Sequence, residues 1–409
     1  MKEVGYIELL SSNRDFRGVY FARLISLFGD WFNLLAVLAL LRSIGYESAG
    51  SFGGVFIAKS LSTLLLLPYA GIFVDRFSRK KVMIASDVTR AVFVGLMFLV
   101  YWFPSVWLVY TLLICQSAMS AFFEPARNAI LPDIVASNEL TTANALGAAT
   151  WSAMLAIGSA VGGVFTEFFG WEAALLVDVM SYLLSAVLLM PIKEPSFQPQ
   201  FQHAGWRQLK EGLVHIKGNF EIWTLCLVKT LWSIAGAVTV LLAVLGEEKY
   251  AFGGRPMLGV SVLFVARGIG TGLGPIIARA ISNSEPKRME KLITVGYALG
   301  AGFYMMLPCF EHIGMIILCI VCAHIGGATI WVFSTIRLQQ LVPTHIRGRI
   351  FSLEQAAFLA MYIISTGGYS WCLDNLSWTA EDTLGILGVS LLFPTMVWMI
   401  RMRRVKAQS

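Results

Sequence analysis

The sequence predicts an all-α membrane protein with twelve transmembrane helices in two pseudo-symmetric six-helix bundles. Three observations predict it. The 409 residues are 57% hydrophobic and only 14% charged, with a mean hydropathy of +0.70, whereas a soluble domain carries about a quarter charged residues. Twelve apolar runs are each long enough for a span, which needs about 20 mainly apolar residues. Cations concentrate in alternate connections between these runs, as the bias of Lys and Arg toward the inner side requires. The net charge of +6 follows from that bias and does not point to nucleic acid.

Residues Met1 to Arg17 mix Lys2, Glu3, Glu8, Arg14, Asp15 and Arg17 with no apolar core before a small-residue cleavage site. A short cytoplasmic helix is expected there, not a cleavable signal. The spans are expected at Gly18–Leu41, Ser51–Phe73, Val82–Phe103, Ser105–Phe123, Thr141–Phe168 and Trp171–Ile192 in the first half. The second half supplies Phe220–Leu245, Met257–Ile281, Met289–Phe310, Ile313–Arg337, Ile350–Trp371 and Thr383–Ile400. With both termini inside, the outer loops hold only Arg42, Lys249 and Arg255. The longest polar connection, Lys193–Asn219, divides the chain into a first bundle (1–192), a cytoplasmic linker (193–219) and a second bundle (220–409). Trp206, Leu209, Leu213 and Ile216 give the linker an amphipathic helix expected to lie on the membrane surface. A weak repeat supports the division: Arg127 to Pro132 follows span four, and Arg337 to Pro343 follows span ten.

The richest connection is Gly71-Ile72-Phe73-Val74-Asp75-Arg76-Phe77-Ser78-Arg79-Lys80-Lys81. Gly71 allows close helix approach. Asp75 is expected where the next helix begins, since a carboxylate is favoured at a helix N-terminus.

Ionisable residues inside spans are costly, so each is a candidate for function. Asp30 in the first span is expected to take and release a proton, or else to be a structural acid. Lys59 is a possible partner for it, unless it snorkels to the interface. Asp87 and Arg90, three apart, can pair with each other or with the Asp75 loop, in a structural and gating role. Asp178, Lys229 and Arg267 either line the pathway or form structural pairs. Gln116, His324 and Glu354 are weaker candidates, with His324 read as a satisfied interior histidine. Gly158, Gly162 and Gly163 in span five, and Gly268, Gly270, Gly272 and Gly274 in span eight, serve close packing or a hinge.

The six cysteines are scattered, and Cys319 and Cys322 lack a second pair, so small buried hydrophobes are expected and no metal. H-E-x-x-H, G-x-S-x-G and G-x-x-x-x-G-K are all missing from the sequence, which argues against an enzyme and for no cofactor.

The Gly71 to Lys81 loop resembles the loop signature of the major facilitator superfamily, with Ser78 where that pattern has a second glycine. Asp87, Arg90, the stretch Phe123-Glu124-Pro125-Ala126-Arg127 with Leu131-Pro132, and Val342-Pro343 with Arg347-Gly348-Arg349 extend the resemblance. Together they resemble a branch with bacterial efflux proteins for macrolides and enterobactin-type siderophores, related to lysophospholipid transporters. Gly158 to Gly163 is similar to the antiporter motif of the superfamily's drug exporters, with Ser159 in place of proline.

The resemblance implies a carrier whose two bundles rock around a central cavity. Gly71, Asp75, Arg76, Arg79 and Lys80, with Asp87 and Arg90, would form a conformational latch reaching span eleven near Arg347 to Glu354. The expected function is export of a small amphipathic organic molecule, such as a siderophore, a macrolide or another drug, by proton antiport. A lysophospholipid flippase or an importer is the alternative. The chain is expected in a bacterial inner membrane, as a monomer, with both termini cytoplasmic.

Overall fold

The computed structural model describes residues 5–136, 138–194, 206–282 and 285–408. A short α1 (Tyr6–Ser12) leads into α2 (Arg14–Ser43). Asn13 sets this start: its side chain accepts the Phe16 N–H at 2.9 Å and donates to the Ile134 carbonyl at 2.7 Å. Next come α3 (Ala49–Arg76), α4 (Arg79–Leu96), α5 (Val106–Ile134) and α6 (Leu140–Leu189). The linker carries α7 (Trp206–Gly218). After it, α8 (Phe220–Trp232) and α9 (Val238–Glu248) join through a 3-10 turn. The chain continues through α10 (Pro256–Ser282), α11 (Pro286–Met306), α12 (Ile313–Leu341) and α13 (Thr344–Asn375), and ends with α14 (Ala380–Ser390) and α15 (Leu392–Gln408).

Among the described residues, eleven helical stretches are long and apolar enough to cross a membrane. One of them, Thr142–Leu189, is 48 residues long. As a straight helix it would measure about 72 Å, more than twice a hydrocarbon core of about 30 Å. It breaks at Gly170, where φ is +82° and ψ is 166°, a backbone that glycine adopts without penalty. The break falls in the gap expected between Phe168 and Trp171, so the stretches supply twelve spans. Trp107, Phe169, Ile276 and Ile364 are well exposed, as lipid-facing side chains are.

The chain divides into two compact units, 1–47 with 58–205, and 48–57 with 206–409. The first turns of α3 therefore cluster with the second unit. In the first unit α2 packs along α6, while Val19, Ala22, Met83, Phe123, Ala126 and Leu189 share a core. Gly29 permits this packing, because a methyl group there would run into Ser181 and Asp178. In the second unit Leu225, Ile293, Tyr297, Ile330, Phe333 and Trp398 form the core.

Two expectations change. The linker helix does not simply rest on a surface: Ile216 joins the core of the second unit, and Glu211 pairs with Arg349 of α13 at 2.7 Å. Asp75 does not begin a helix. It lies in the last turn of α3, and Ser78 caps α4 by accepting the Lys81 N–H at 3.2 Å.

Candidate functional site

Arg23 and Asp30 stand seven residues apart on α2, two turns along one face. Arg23 Nη1 lies 3.7 Å from Asp30 Oδ2. Its Nε lies 2.6 Å from Glu124 Oε1 on α5. One turn further along α5, Arg127 Nε reaches the other oxygen of Glu124 at 3.1 Å. One guanidinium thus serves two carboxylates. The side chains of Arg23, Asp30 and Glu124 are 19%, 28% and 37% exposed. Lys59 was a possible partner for Asp30, with snorkelling to the interface as its alternative. The structure gives Asp30 Arg23 instead, because the same-face spacing on one helix brings the two together. Lys59 is half-buried on α3.

The other oxygen of Asp30 accepts the Tyr182 hydroxyl at 2.5 Å, and Gln116 Nε2 donates to that hydroxyl at 3.0 Å. The Tyr182 ring lies under the Arg90 guanidinium at 4.3 Å, with Phe123 at 4.8 Å. Arg90 pairs with Asp87, which also accepts the Ser185 hydroxyl at 2.6 Å. Asp87 and Arg90 are therefore paired with each other and fully buried behind Asp30. Hydrogen bonds from Ser185 and to Ser120 offset part of the desolvation of this pair, while Arg90 Nε has no hydrogen-bond partner among the described residues. Asp178 is buried beside Ser181, whose hydroxyl is 3.4 Å away.

A cavity of about 310 Å³ opens beside this network within the first unit. Tyr20, Arg23, Glu124, Arg127, Thr150 and Trp151 line it, and Tyr20 and Thr150 share a hydrogen bond of 3.0 Å. Gly158 faces Trp31, and Gly162 faces Phe32 and Leu35, so these glycines seat α6 on α2. Gly163 is buried on α6, and Gly272 is half-buried on α10.

The basic loop holds the end of α6. Arg79 donates its backbone N–H to Glu194 at 2.7 Å and pairs with Asp133. Lys80 donates to the carbonyls of Met190 and Ile192 at 2.5 and 2.9 Å, placing a cation where a helix ends in free carbonyls. Gly71 lies within α3, and Arg76 is its exposed last residue.

In the second unit, Lys229 of α8 and Glu354 of α13 form a buried pair at 3.2 Å. The Lys229 ammonium sits over Trp331 at 4.4 Å. Arg267 donates to Thr239 at 2.8 Å. His324 bonds the Ile320 carbonyl at 3.0 Å and the Tyr304 hydroxyl at 3.2 Å. A further cluster gathers Glu290, Arg337, Arg401 and Glu221.

The sequence reading placed Glu124 only within the Phe123–Arg127 stretch and Arg337 only in the internal repeat and among the inner cations, and it did not single out Tyr182 or Glu290. The seven-residue spacing of Arg23 and Asp30 and the three-residue spacing of Glu124 and Arg127 were available signals. Nothing in the sequence marks Tyr182.

Known proteins agree with this architecture. The family profile of the Major Facilitator Superfamily matches residues 19–403. BacE of Bacillus subtilis, named a provisional bacilysin exporter, is 27% identical over 346 residues, covering 82% of this chain and 83% of its own. Macrolide efflux protein A of Enterococcus faecalis is 25% identical over 316 residues, covering 73% of this chain and 96% of its own. The crystal structure of nucleoside transporter NupG superposes with a TM-score of 0.72 at 11% identity, covering 94% of this chain and 98% of that one; it shares the fold. With twelve spans and a family match over nearly its whole length, the chain is a multi-pass membrane transporter that belongs to the Major Facilitator Superfamily.

Proposed function

We propose that this transporter exports small amphipathic organic molecules in exchange for protons, by alternating access. The setting of Asp30 carries the reading. It is a part-exposed carboxylate on the first span, held by a phenol and by a guanidinium that a second carboxylate shares. An acid within a span changes protonation as its partner and its hydration change. The direction is supported by relatives named for export of bacilysin and efflux of macrolides.

The bundles 1–192 and 220–409 rock on either side of the 193–219 linker, with the chain a monomer in a bacterial inner membrane. The segments rich in Lys and Arg, including both termini, lie in the cytoplasm. Lys59, Asp178, Lys229 and Arg267 belong to the pathway. The latch comprises Gly71, Asp75, Arg76, Arg79 and Lys80, with Asp87 and Arg90 behind it, and its two arrangements accompany opening and closing.

Everted membrane vesicles test the reading. An imposed proton gradient is expected to drive uphill uptake of a macrolide or a small peptide antibiotic, and both a protonophore and Asp30→Asn are expected to abolish it. Uptake that survives both treatments removes protons and Asp30 from the mechanism.

A further inference from the structure

We propose that a groove between the start of α2 and the end of α6 holds an anionic glycerophospholipid, with Arg14 and Arg17 on its phosphate and Phe21 and Leu188 against its acyl chains. The site lies wholly within the first unit and is separate from the cavity beside Asp30. The groove has a volume of about 370 Å³, and Arg14, Arg17, Gly18, Phe21, Leu188 and Ile192 line it. Its wall is divided by chemistry. Charge gathers at the first turn of α2, and one turn further along the lining is apolar.

Arg14 and Arg17 stand three residues apart on α2, so both guanidiniums rise from one face. Both side chains are exposed. Arg17 Nη1 makes only long contacts, to the Leu10 carbonyl at 3.4 Å and the Ser11 carbonyl at 3.5 Å. Asp15 is the acid in the wall. It accepts the Lys193 backbone N–H at 3.2 Å, which brings the exposed Lys193 side chain to the same rim. Glu194, the next acid along the chain, is turned to Ser78 and to the Arg79 N–H. Behind the groove Lys80 donates to the Ile192 carbonyl at 2.9 Å. Arg14, Arg17, Lys80 and Lys193 thus outnumber Asp15, and the first turn of α2 adds the positive end of a helix. An anion is the ligand that this balance selects.

The apolar half of the groove names the source of the anion. Phe21 follows Arg17 by one turn on α2 and is exposed. On α6, Leu188 lines the groove beside Leu184 and Val187, both exposed. Gly18 keeps the seam between the helices narrow, because an added methyl would lie 3.3 Å from the Leu188 carbonyl oxygen. The groove therefore runs from a cationic rim onto an apolar outer surface. At the same level α1 leaves Ile7 84% exposed while Leu9 is buried, as in a helix lying among headgroups. A free phosphate would use the arginines and leave the apolar wall bare, whereas an acyl chain covers it. A zwitterionic headgroup would bring an ammonium to a rim that is already cationic, so the lipid is anionic. Lys and Arg mark the cytoplasmic side, so the lipid comes from that leaflet; binding itself is the same in either.

Native mass spectrometry of the purified full chain in detergent tests this, with phosphatidylglycerol and phosphatidylcholine of identical acyl chains as probes. Phosphatidylglycerol is expected to bind about tenfold or more tightly. Arg14→Gln combined with Arg17→Gln should bring it down to the phosphatidylcholine level. Lys217→Gln combined with Lys287→Gln removes two exposed cations outside the groove and should leave the preference intact. Phe21→Glu keeps both arginines but sets a carboxylate beside them, so it should also erase the preference. Melting temperatures in lipid-free detergent show that each variant is folded. Glycerol phosphate carries the same anion without chains and should not displace the lipid at equal concentration. Equal affinity for the two lipids overturns the site. So does a preference that survives the arginine pair or Phe21→Glu, or one lost equally in the Lys217 and Lys287 control. Displacement by glycerol phosphate overturns the lipid as ligand and shows a site for phosphate from any source.

Discussion

The carboxylate of Asp374 accepts the backbone N–H of Gly50 at 2.7 Å, and with its other oxygen it accepts that of Ala49 at 2.9 Å. Asp374 stands at the end of α13 and Gly50 at the start of α3, 324 residues earlier. The first N–H groups of a helix have no partner within it, and a negative charge is favoured there. A side-chain carboxylate from a distant helix therefore caps α3. Gly53, one turn on, lets Ser370 come close in the same seam. Replacing a capping acid by alanine costs about 0.5–2 kcal/mol. Asp374→Ala is expected to lower the melting temperature of the purified protein, and Asp374→Asn to lower it less, since one acceptor oxygen remains. An unchanged melting temperature in Asp374→Ala would mean that water replaces the carboxylate without loss.

Gly29 makes a second prediction. Its backbone lies against Ser181 and Asp178, with no room for a side chain. Overpacking a core costs about 1–3 kcal/mol. Gly29→Val should therefore lower thermal stability and disturb the Tyr182 contact with Asp30 one residue away. Gly95 is helical with open space around it, so Gly95→Ala is the control and should leave stability unchanged or raise it by up to about 1 kcal/mol. Equal melting curves for the two variants would argue against close contact between α2 and α6 at Gly29.

Spans were legible in the sequence because lipid imposes a simple rule, about 20 apolar residues per crossing. The break at Gly170 falls in the gap left between the spans expected at Thr141–Phe168 and Trp171–Ile192. Side-chain partners were less legible. Helical periodicity says which residues share a face, but not which helix packs on that face. Arg23 lies near the inner end of the first span, where a cation is expected to set topology, yet it turns to Asp30 and Glu124. Tyr182 meets Asp30 across 152 residues of sequence, a pairing that only packing decides. Asp75 was expected to begin a helix, but Ser78 does so, because the hydroxyl reaches the Lys81 N–H while α3 continues through Asp75.

The buried Lys229 and Glu354 pair yields a third prediction. Removing one member of a buried pair leaves a charge without its partner, at a cost of about 3–5 kcal/mol. Lys229→Met and Glu354→Gln should each destabilise the protein strongly. The double variant should be more stable than the sum of the single losses implies, because it leaves no orphaned charge. Trp331, which lies under the ammonium, packs equally well against a methionine. Melting temperatures of the four proteins complete the cycle. Additive losses would show that the two charges do not interact across 3.2 Å.

Glu290 holds the end of the chain in place. Its Oε1 accepts from Arg337 of α12 at 3.0 Å, and its Oε2 pairs with Arg401 of α15. Its own carbonyl accepts the Trp398 indole N–H at 3.0 Å. Three helices meet on one residue. Without the Glu290 carboxylate, the buried Arg401 guanidinium keeps, among the described residues, Glu221 at 3.7 Å and the Thr224 hydroxyl at 3.3 Å. A hydrogen bond to a charged group contributes about 1.5–3 kcal/mol. Glu290→Gln should therefore loosen α15 locally, with amide exchange there rising about tenfold or more. The α9 amides should stay protected, because α9 carries none of the residues of the Glu290 cluster. Hydrogen exchange read by mass spectrometry separates the two regions. Uniform acceleration across the second unit would show that Glu290 supports global stability, and no acceleration would show that Trp398 packing alone fixes α15.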